Sequence, residues 1–244
     1  MPIIYLSPST QEFNPYVNGG NEEFYMNAIA DAMEPYLAAS GIRFVRNTPD
    51  MNAATAIAES NSGNFDFHLA LHSNASGDSS GTTRGSEVYY FPTSEGGKRF
   101  SNIAVKNLKL IYPNPELVRA IPVTNLGEVR RVKAPAALIE FAYHDNIEDA
   151  DWIRNNIDAI AANVVYSLTE YFGIPFNLPQ GIFVANVRTL GSNLNVRYRP
   201  GTDAEIVGKI PNGAEIVVYA VLPEWLLVGY NDTVGYVSRR YVQY

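Results

Sequence analysis

The sequence predicts an α/β domain with a mixed, mostly parallel sheet flanked by helices, followed by a small all-β barrel. Three observations predict it. Short apolar runs alternate with amphipathic helical stretches as far as Phe172. A Gly- and Pro-rich segment, Gly173-Ile174-Pro175-Phe176-Asn177-Leu178-Pro179-Gln180-Gly181, then ends that texture. Beyond it the 3.6-residue period is gone, and short Val/Ile/Tyr runs are broken by Asn195, Pro200-Gly201, Asn212-Gly213 and Asn231-Asp232. Alternating strands and helices imply a parallel sheet covered on both faces, whereas closely spaced short strands imply a barrel of about five to seven strands. The division expected is 1–175 for the α/β domain, 176–182 for a linker and 183–244 for the barrel.

Residues 3–6 read as a buried strand, followed by a polar loop over 7–20. Asn21 is a plausible N-cap, with Glu22 and Glu23 in the first turn, where the helix dipole favours acids. Met26, Ile29, Ala30, Met33 and Leu37 recur at helical spacing and Gly41 stops the helix. A strand over 42–45, an Ala-rich helix over 52–60 and strands over 65–71 and 86–91 follow. Residues 97–110 suit a helix with Phe100, Ala104 and Leu108 on one face. Residues 136–141 form another strand, and 150–172 one long amphipathic helix with Trp152, Ile153, Ile157, Ile160, Ala161, Val164, Val165 and Leu168 inward.

The 244 residues carry 46% hydrophobic and 18% charged side chains, an ordinary globular composition. Net charge is -7 and the pI about 5.0. A duplex nucleic-acid partner, which calls for a basic face, is disfavoured. There is no cysteine, which removes thiolate ligands, Cys nucleophiles and disulfides. No apolar run approaches the roughly 18 residues of a membrane span, so no membrane insertion is expected. The chain enters a strand at once, without a charged segment and apolar stretch of signal-peptide type.

Two strand ends stand out. One reads Phe67-His68-Leu69-Ala70-Leu71-His72-Ser73-Asn74-Ala75, the other Pro135-Ala136-Ala137-Leu138-Ile139-Glu140-Phe141-Ala142-Tyr143-His144-Asp145-Asn146. Each apolar run stops at an ionisable residue before a polar loop, which is how an α/β enzyme presents a ligand or a base at its sheet edge. His68 and His72 share a face but lie about 13 Å apart along the strand; His72, at the polar end, is the better ligand, and His68 reads as a satisfied sheet-face histidine. A carboxylate inside an apolar strand, Glu140, is costly unless paired, metal-bound or protonated. Glu22 is the third candidate, though a first-turn acid can merely complement the dipole.

These segments resemble the zinc-dependent N-acetylmuramoyl-L-alanine amidases, peptidoglycan-cleaving enzymes with a mixed α/β fold. Glu22 with Met26 and Ile29-Ala30 is similar to the family's ligand-bearing helix. Residues 66–75 resemble its Ala-Asp-x-x-x-Ser-Ile-His-Ala-Asn-Ala strand, and Gly85-Ser86-Glu87-Val88-Tyr89-Tyr90 its Gly-x-Glu-x-Tyr-Tyr strand. Residues 135–146 resemble Pro-Ala-x-Leu-x-Glu-x-Gly-Phe-x-x-Asn. The resemblance implies zinc held by Glu22 and His72, Glu140 as the catalytic carboxylate and Asn74 on the substrate side. One element departs. Where the family's first strand ends in Asp-Pro-Gly-His, with the His a zinc ligand, this chain has Leu6-Ser7-Pro8-Ser9-Thr10-Gln11. The third ligand is then His144, four residues past Glu140, or Gln11, or none.

Leu194-Asn195-Val196-Arg197-Tyr198-Arg199-Pro200, Ile206-Val207-Gly208-Lys209-Ile210, Asn212-Gly213, Trp225-Leu226-Leu227-Val228 and Gly235-Tyr236-Val237 resemble, in that order, the bacterial SH3-like cell-wall modules. That resemblance implies binding to peptidoglycan. Arg197, Tyr198, Trp225 and Tyr236 are candidates for its groove, since aromatic faces suit sugars and stem peptides; Trp225 and Tyr236 would serve equally as barrel core. The expectation is a zinc-assisted peptidoglycan amidase acting outside the cell or at the wall, reached by phage-type lysis, mother-cell lysis or a removed leader. The alternatives are a wall-binding protein on a degenerate amidase domain, or a zinc hydrolase of other amides.

Overall fold

In a computed structural model of the chain, which describes residues 1–77, 81–179, 181, 183–231 and 233–244, the elements run β1 (Ile3–Pro8), α1 (Glu22–Ser40), β2 (Arg43–Arg46), α2 (Ala53–Ser62), β3 (Phe67–Asn74), β4 (Ser86–Tyr90), α3 (Glu95–Leu108), β5 (Val118–Pro122), α4 (Gly127–Arg130), β6 (Ala136–Tyr143), α5 (Ile147–Asn155) and α6 (Ile157–Phe172). Gln180 and Ile182 of the expected linker and Asp232 of the expected turn lie outside the described residues. Contacts divide the chain into two compact units, Ile3–Glu34 with Phe44–Phe172, and Met1–Pro2 with Pro35–Arg43 and Gly173–Tyr244. No helix among the described residues is long and apolar enough to cross a membrane.

The α/β sheet has the order β2-β1-β3-β6-β4-β5. β1, β3 and β6 are parallel; β4 is antiparallel to β6 and parallel to β5. The central strands are continuous apolar runs because both faces are covered. On one face Phe67 packs on Phe100 of α3 at 4.6 Å and Tyr171 of α6 at 5.0 Å between ring centroids. Phe67 and Phe100 are fully buried, worth roughly 2–3 kcal/mol each. On the other face Ala70 and Leu138 pack with Val129 of α4.

The sequence leaves β5 and α4 unassigned, since residues 111–135 show no clear period. It also reads 150–172 as one helix, where the structure has two, broken at Asn156. That residue's amide Nδ2 donates to Trp152 O at 2.8 Å and its backbone has left the helical region, with φ -128 and ψ 22. Asn side chains compete with the helical ladder in this way.

The C-terminal unit carries β7 (Phe183–Val187), β8 (Leu194–Arg197), β9 (Ile206–Ile210), β10 (Glu215–Val221), β11 (Trp225–Tyr230), β12 (Thr233–Ser238) and β13 (Val242–Gln243). They form one seven-stranded sheet, β13-β7-β10-β11-β12-β8-β9, whose strands pair antiparallel among the described residues. Alternate residues, among them Val187, Val196, Ile216, Val218, Leu226 and Val237, form its core.

One buried carboxylate joins three parts of the α/β unit. Asp149, fully buried, accepts from Tyr112 OH at 2.6 Å, Arg84 Nε at 3.0 Å, Gly85 N–H at 3.1 Å and Tyr143 N–H at 3.1 Å. It thereby fixes the start of β4 against the end of β6. Asp149→Ala leaves four donors without this acceptor, so urea unfolding is expected to show a loss of about 3–5 kcal/mol. A loss under about 1 kcal/mol would mean the carboxylate does not hold these strands.

Candidate functional site

The site follows from strand register. His72 of β3 lies opposite Glu140 of β6, Glu140 opposite Glu87 of β4, and Glu87 opposite Arg119 of β5. Cross-strand partners share a face. The sheet therefore lays a row of four ionisable side chains, His72, Glu140, Glu87 and Arg119, across four adjacent strands.

His72 sits between two carboxylates. Its Nδ1 is 2.8 Å from Glu22 Oε1 and its Nε2 is 3.3 Å from Glu128 Oε2. Burial disfavours the cationic ring, but the hydrogen bonds to Glu128 and Glu22 outweigh it and raise its pKa well above the ordinary value. Glu22 is buried too; the His72 and Asn14 hydrogen bonds overcome burial and hold it below the usual carboxylate range. Glu128 is likewise pushed up by burial and then held far below that range by His68 and His72.

Glu140 has no such partner among the described residues. Its Oε2 is buried without a hydrogen bond. Burial raises its pKa to about 7, opposed by His72 and assisted by Glu22, Glu87 and Glu128. Next in the row, Glu87 accepts from Arg119 Nη2 at 2.9 Å, from Asn74 Nδ2 at 3.3 Å and from the Tyr89 hydroxyl. Asn74 is thus anchored beside Glu140.

The structure does not bring His144 to the Glu22–His72 pair. Among the described residues no group of three or more His, Asp or Glu is arranged to hold a metal ion. The cause is a bulge. From His72↔Glu140 to Asn74↔Tyr143, β3 advances two residues and β6 three. The extra residue inverts the alternation of β6, so counting by twos from Glu140 no longer finds the same face. His144 instead meets Ser73, which alternates away from His72: its Nδ1 is 3.0 Å from Ser73 O and 3.1 Å from Ser73 Oγ, and its ring stacks on Tyr16.

The side chain beside His72 Nδ1 is Gln11, whose Nε2 is 3.4 Å away. Asn14 Nδ2 ties Gln11 Oε1, at 3.1 Å, to Glu22 Oε2, at 2.7 Å. Thr10 and Gln11 line a cavity of about 600 Å³ that also reaches His72 and Glu128. Glu22 and His72 Nδ1 supply an anionic oxygen and an imidazole nitrogen, both donor types that zinc takes. Two buried carboxylates, Glu22 and Glu128, flank one imidazole; Glu140 lies opposite it in register, with one oxygen bare. The strong donors on the Nδ1 side are two, with the neutral Gln11 amide in third place; a structural zinc site has more.

His68 is fully buried, with Nδ1 2.9 Å from Ser60 Oγ and Nε2 3.3 Å from Glu128 Oε1. It is a satisfied histidine of the sheet face. Glu128 is the residue that sequence reasoning misses. The available signal is His68 itself: a histidine inside an apolar strand needs a polar partner.

In the C-terminal unit Arg197 and Trp225 line a groove of about 610 Å³ with Arg240 and Tyr241. Tyr236 does not, being fully buried in the sheet, and Tyr198 is not among the lining residues.

The family profile of N-acetylmuramoyl-L-alanine amidases matches residues 10–170, more than half of the chain, and that of the bacterial SH3 domain matches residues 192–243. A putative N-acetylmuramoyl-L-alanine amidase of Bacillus subtilis (strain 168), YrvJ, is 25% identical over 153 residues, which are 62% of this chain and 27% of the relative. The chain thus spans about a quarter of that relative's length. Among solved structures, the catalytic domain of CwlV, an amidase of the same name from Bacillus (Paenibacillus) polymyxa var. colistinus, superposes with a TM-score of 0.62 at 20% identity, covering 72% of this chain and 100% of that one. The catalytic domain of the CD27L endolysin targeting Clostridia difficile gives 0.57 at 21% identity, covering 70% and 97%. These likenesses establish the mixed α/β fold.

A pH dependence of stability follows from Glu140. Its folded pKa of about 7 lies above the ordinary 4.5, so the fold retains a proton that the unfolded chain gives up. Stability from this source is full below about pH 4.5 and is lost as pH rises through about 7. In chelator, urea unfolding is expected to show Glu140→Gln more stable than the parent by about 3 kcal/mol at pH 8, the gap closing towards pH 5. Parallel pH curves would remove the buried charge as the cause.

Proposed function

The chain belongs to the N-acetylmuramoyl-L-alanine amidase family, and from that membership and the geometry of its site we propose that it hydrolyses the amide between N-acetylmuramic acid and L-alanine in peptidoglycan. The observation that carries the reading is Glu140: a buried carboxylate with a bare oxygen, set in register beside a histidine bonded to Glu22. A pure binder has no reason to bury that charge.

Glu140, with its pKa near neutrality, takes the proton of the attacking water and passes it to the leaving amine of L-alanine. Glu22 and His72 would hold a zinc ion, with the Gln11 amide as the weaker third donor; such an ion supplies Lewis-acid polarisation of the scissile carbonyl. Asn74, bonded to Glu87, lies on the substrate side, and Arg119 offers a guanidinium at the far end of the row. No nucleophilic route is needed, since a water activated by Glu140 attacks directly, and the chain has no cysteine.

The C-terminal unit binds the wall through the groove that holds Arg197 and Trp225. A second weak site on one polymer raises the effective concentration of the first without touching the chemistry. The protein then acts outside the membrane, on the wall. A second reading, a wall binder on a degenerate amidase domain, is favoured by one observation, the replacement of an imidazole by Thr10 and Gln11.

Mass spectrometry of purified peptidoglycan after digestion separates the two. Free stem peptides beginning with L-alanine, absent in chelator and restored by zinc, are expected. Intact muropeptides at every zinc level, with the protein still bound to walls, would establish the binder. Glu140→Gln should slow release at least about 100-fold while still sedimenting with walls. Trp225→Ala, with its fold checked by circular dichroism, should weaken sedimentation about tenfold; unchanged sedimentation would remove the groove from wall recognition.

A further inference from the structure

We propose that Glu128 is the positioning residue of this site, holding the Nε2–H of His72 so that Nδ1 faces Glu22 and the reacting side. The proposal builds on the cation-assisted reading above, and concerns a residue that the mechanism does not otherwise use.

The geometry of imidazole carries the argument. Its two nitrogens lie on opposite sides of the ring, and each here meets a different carboxylate: Nδ1 meets Glu22 at 2.8 Å and Nε2 meets Glu128 at 3.3 Å. One ion cannot be shared by both. The sides also differ in what surrounds them. On the Nδ1 side Gln11 stands 3.4 Å away, and Glu22 accepts, besides His72, from neutral amides, Asn14 Nδ2 at 2.7 Å and Ser73 N–H at 3.4 Å. On the Nε2 side Glu128 is shared with a second histidine. Its Oε1 accepts from Ser7 Oγ at 2.5 Å and His68 Nε2 at 3.3 Å, and its Oε2 accepts from His72. Glu128 therefore orients the ring and does not act as a ligand. A carboxylate behind a ligating histidine fixes its tautomer and raises its basicity.

Glu128 is held in turn. His68, stacked on Tyr5 at 5.2 Å, bonds Ser60 of α2 through Nδ1 at 2.9 Å. A single file, Ser60–His68–Glu128–His72–Glu22, thus runs from α2 to α1. It explains why a four-residue helix, α4, carries a carboxylate only 6% exposed.

Glu128→Gln and Glu128→Ala test the proposal on two readouts. The first is zinc affinity by competition with a fluorescent chelator. It should fall about tenfold in Glu128→Gln and about 10–100-fold in Glu128→Ala, while thermal melts in chelator report whether each variant folds. If Glu128→Ala does not fold, Glu128→Gln carries the test. The second is the imidazole ¹H–¹⁵N spectrum, simple in a chain with three histidines. A slowly exchanging Nε2–H of His72 should be visible in the parent, shifted in Glu128→Gln and lost in Glu128→Ala. A folded variant with unchanged affinity and an unchanged His72 signal overturns the proposal. If the parent binds no zinc while the signal still depends on Glu128, the cation reading fails and the positioning role stands.

Discussion

Everything at this site depends on the pairing of β3 with β6, which sets His72 opposite Glu140. Two further strands, β4 and β5, lie beside it, and each brings a charged group into the same row. The row would be repulsive by itself, with Glu140 and Glu87 side by side. It is stabilised from its ends, by His72 on one side and Arg119 on the other, and from above by the capping arrangement of α1, which brings Glu22 to His72. Glu140 alone is left without a partner, and that asymmetry gives the row its chemistry. Groups whose environments drive their pKa values apart can divide the roles of acid, base and ligand.

Much of this was readable in the sequence for one reason. An ionisable residue that interrupts an apolar strand must be explained, and His72 and Glu140 do so at the polar ends of β3 and β6. Glu22 was readable because α1 has a plain N-cap and a clean apolar stripe. The strand-and-helix alternation, the antiparallel C-terminal unit and the burial of His68 follow from the same periodicities.

What escaped the sequence is what periodicity does not encode. Glu128 stands in a stretch with no repeat long enough to define an element, and its burial is decided by His68 and Ser7, distant in sequence. The helix break at Asn156 was hidden because the apolar stripe runs through it; a local hydrogen bond, invisible to hydropathy, made the difference. His144 stood first because an imidazole is the better ligand, but with one extra residue in β6 the chain sets it against Ser73. Gln11 was ranked behind it on ligand chemistry, yet the loop after β1 delivers it to His72.

The bulge in β6 also sets where this fold can accept change. Upstream of it, from Ala136 to Glu140, strand parity is tied to the row: inserting or deleting one residue would carry Glu140 to the face packed by α3 and α6. Downstream, parity has already been reset, and the chain is held by other contacts, His144 on Ser73 and Tyr16 and the Tyr143 N–H on Asp149. An aligner that places a gap even one position too early would exchange the faces of the strand and name the wrong side chains as the site.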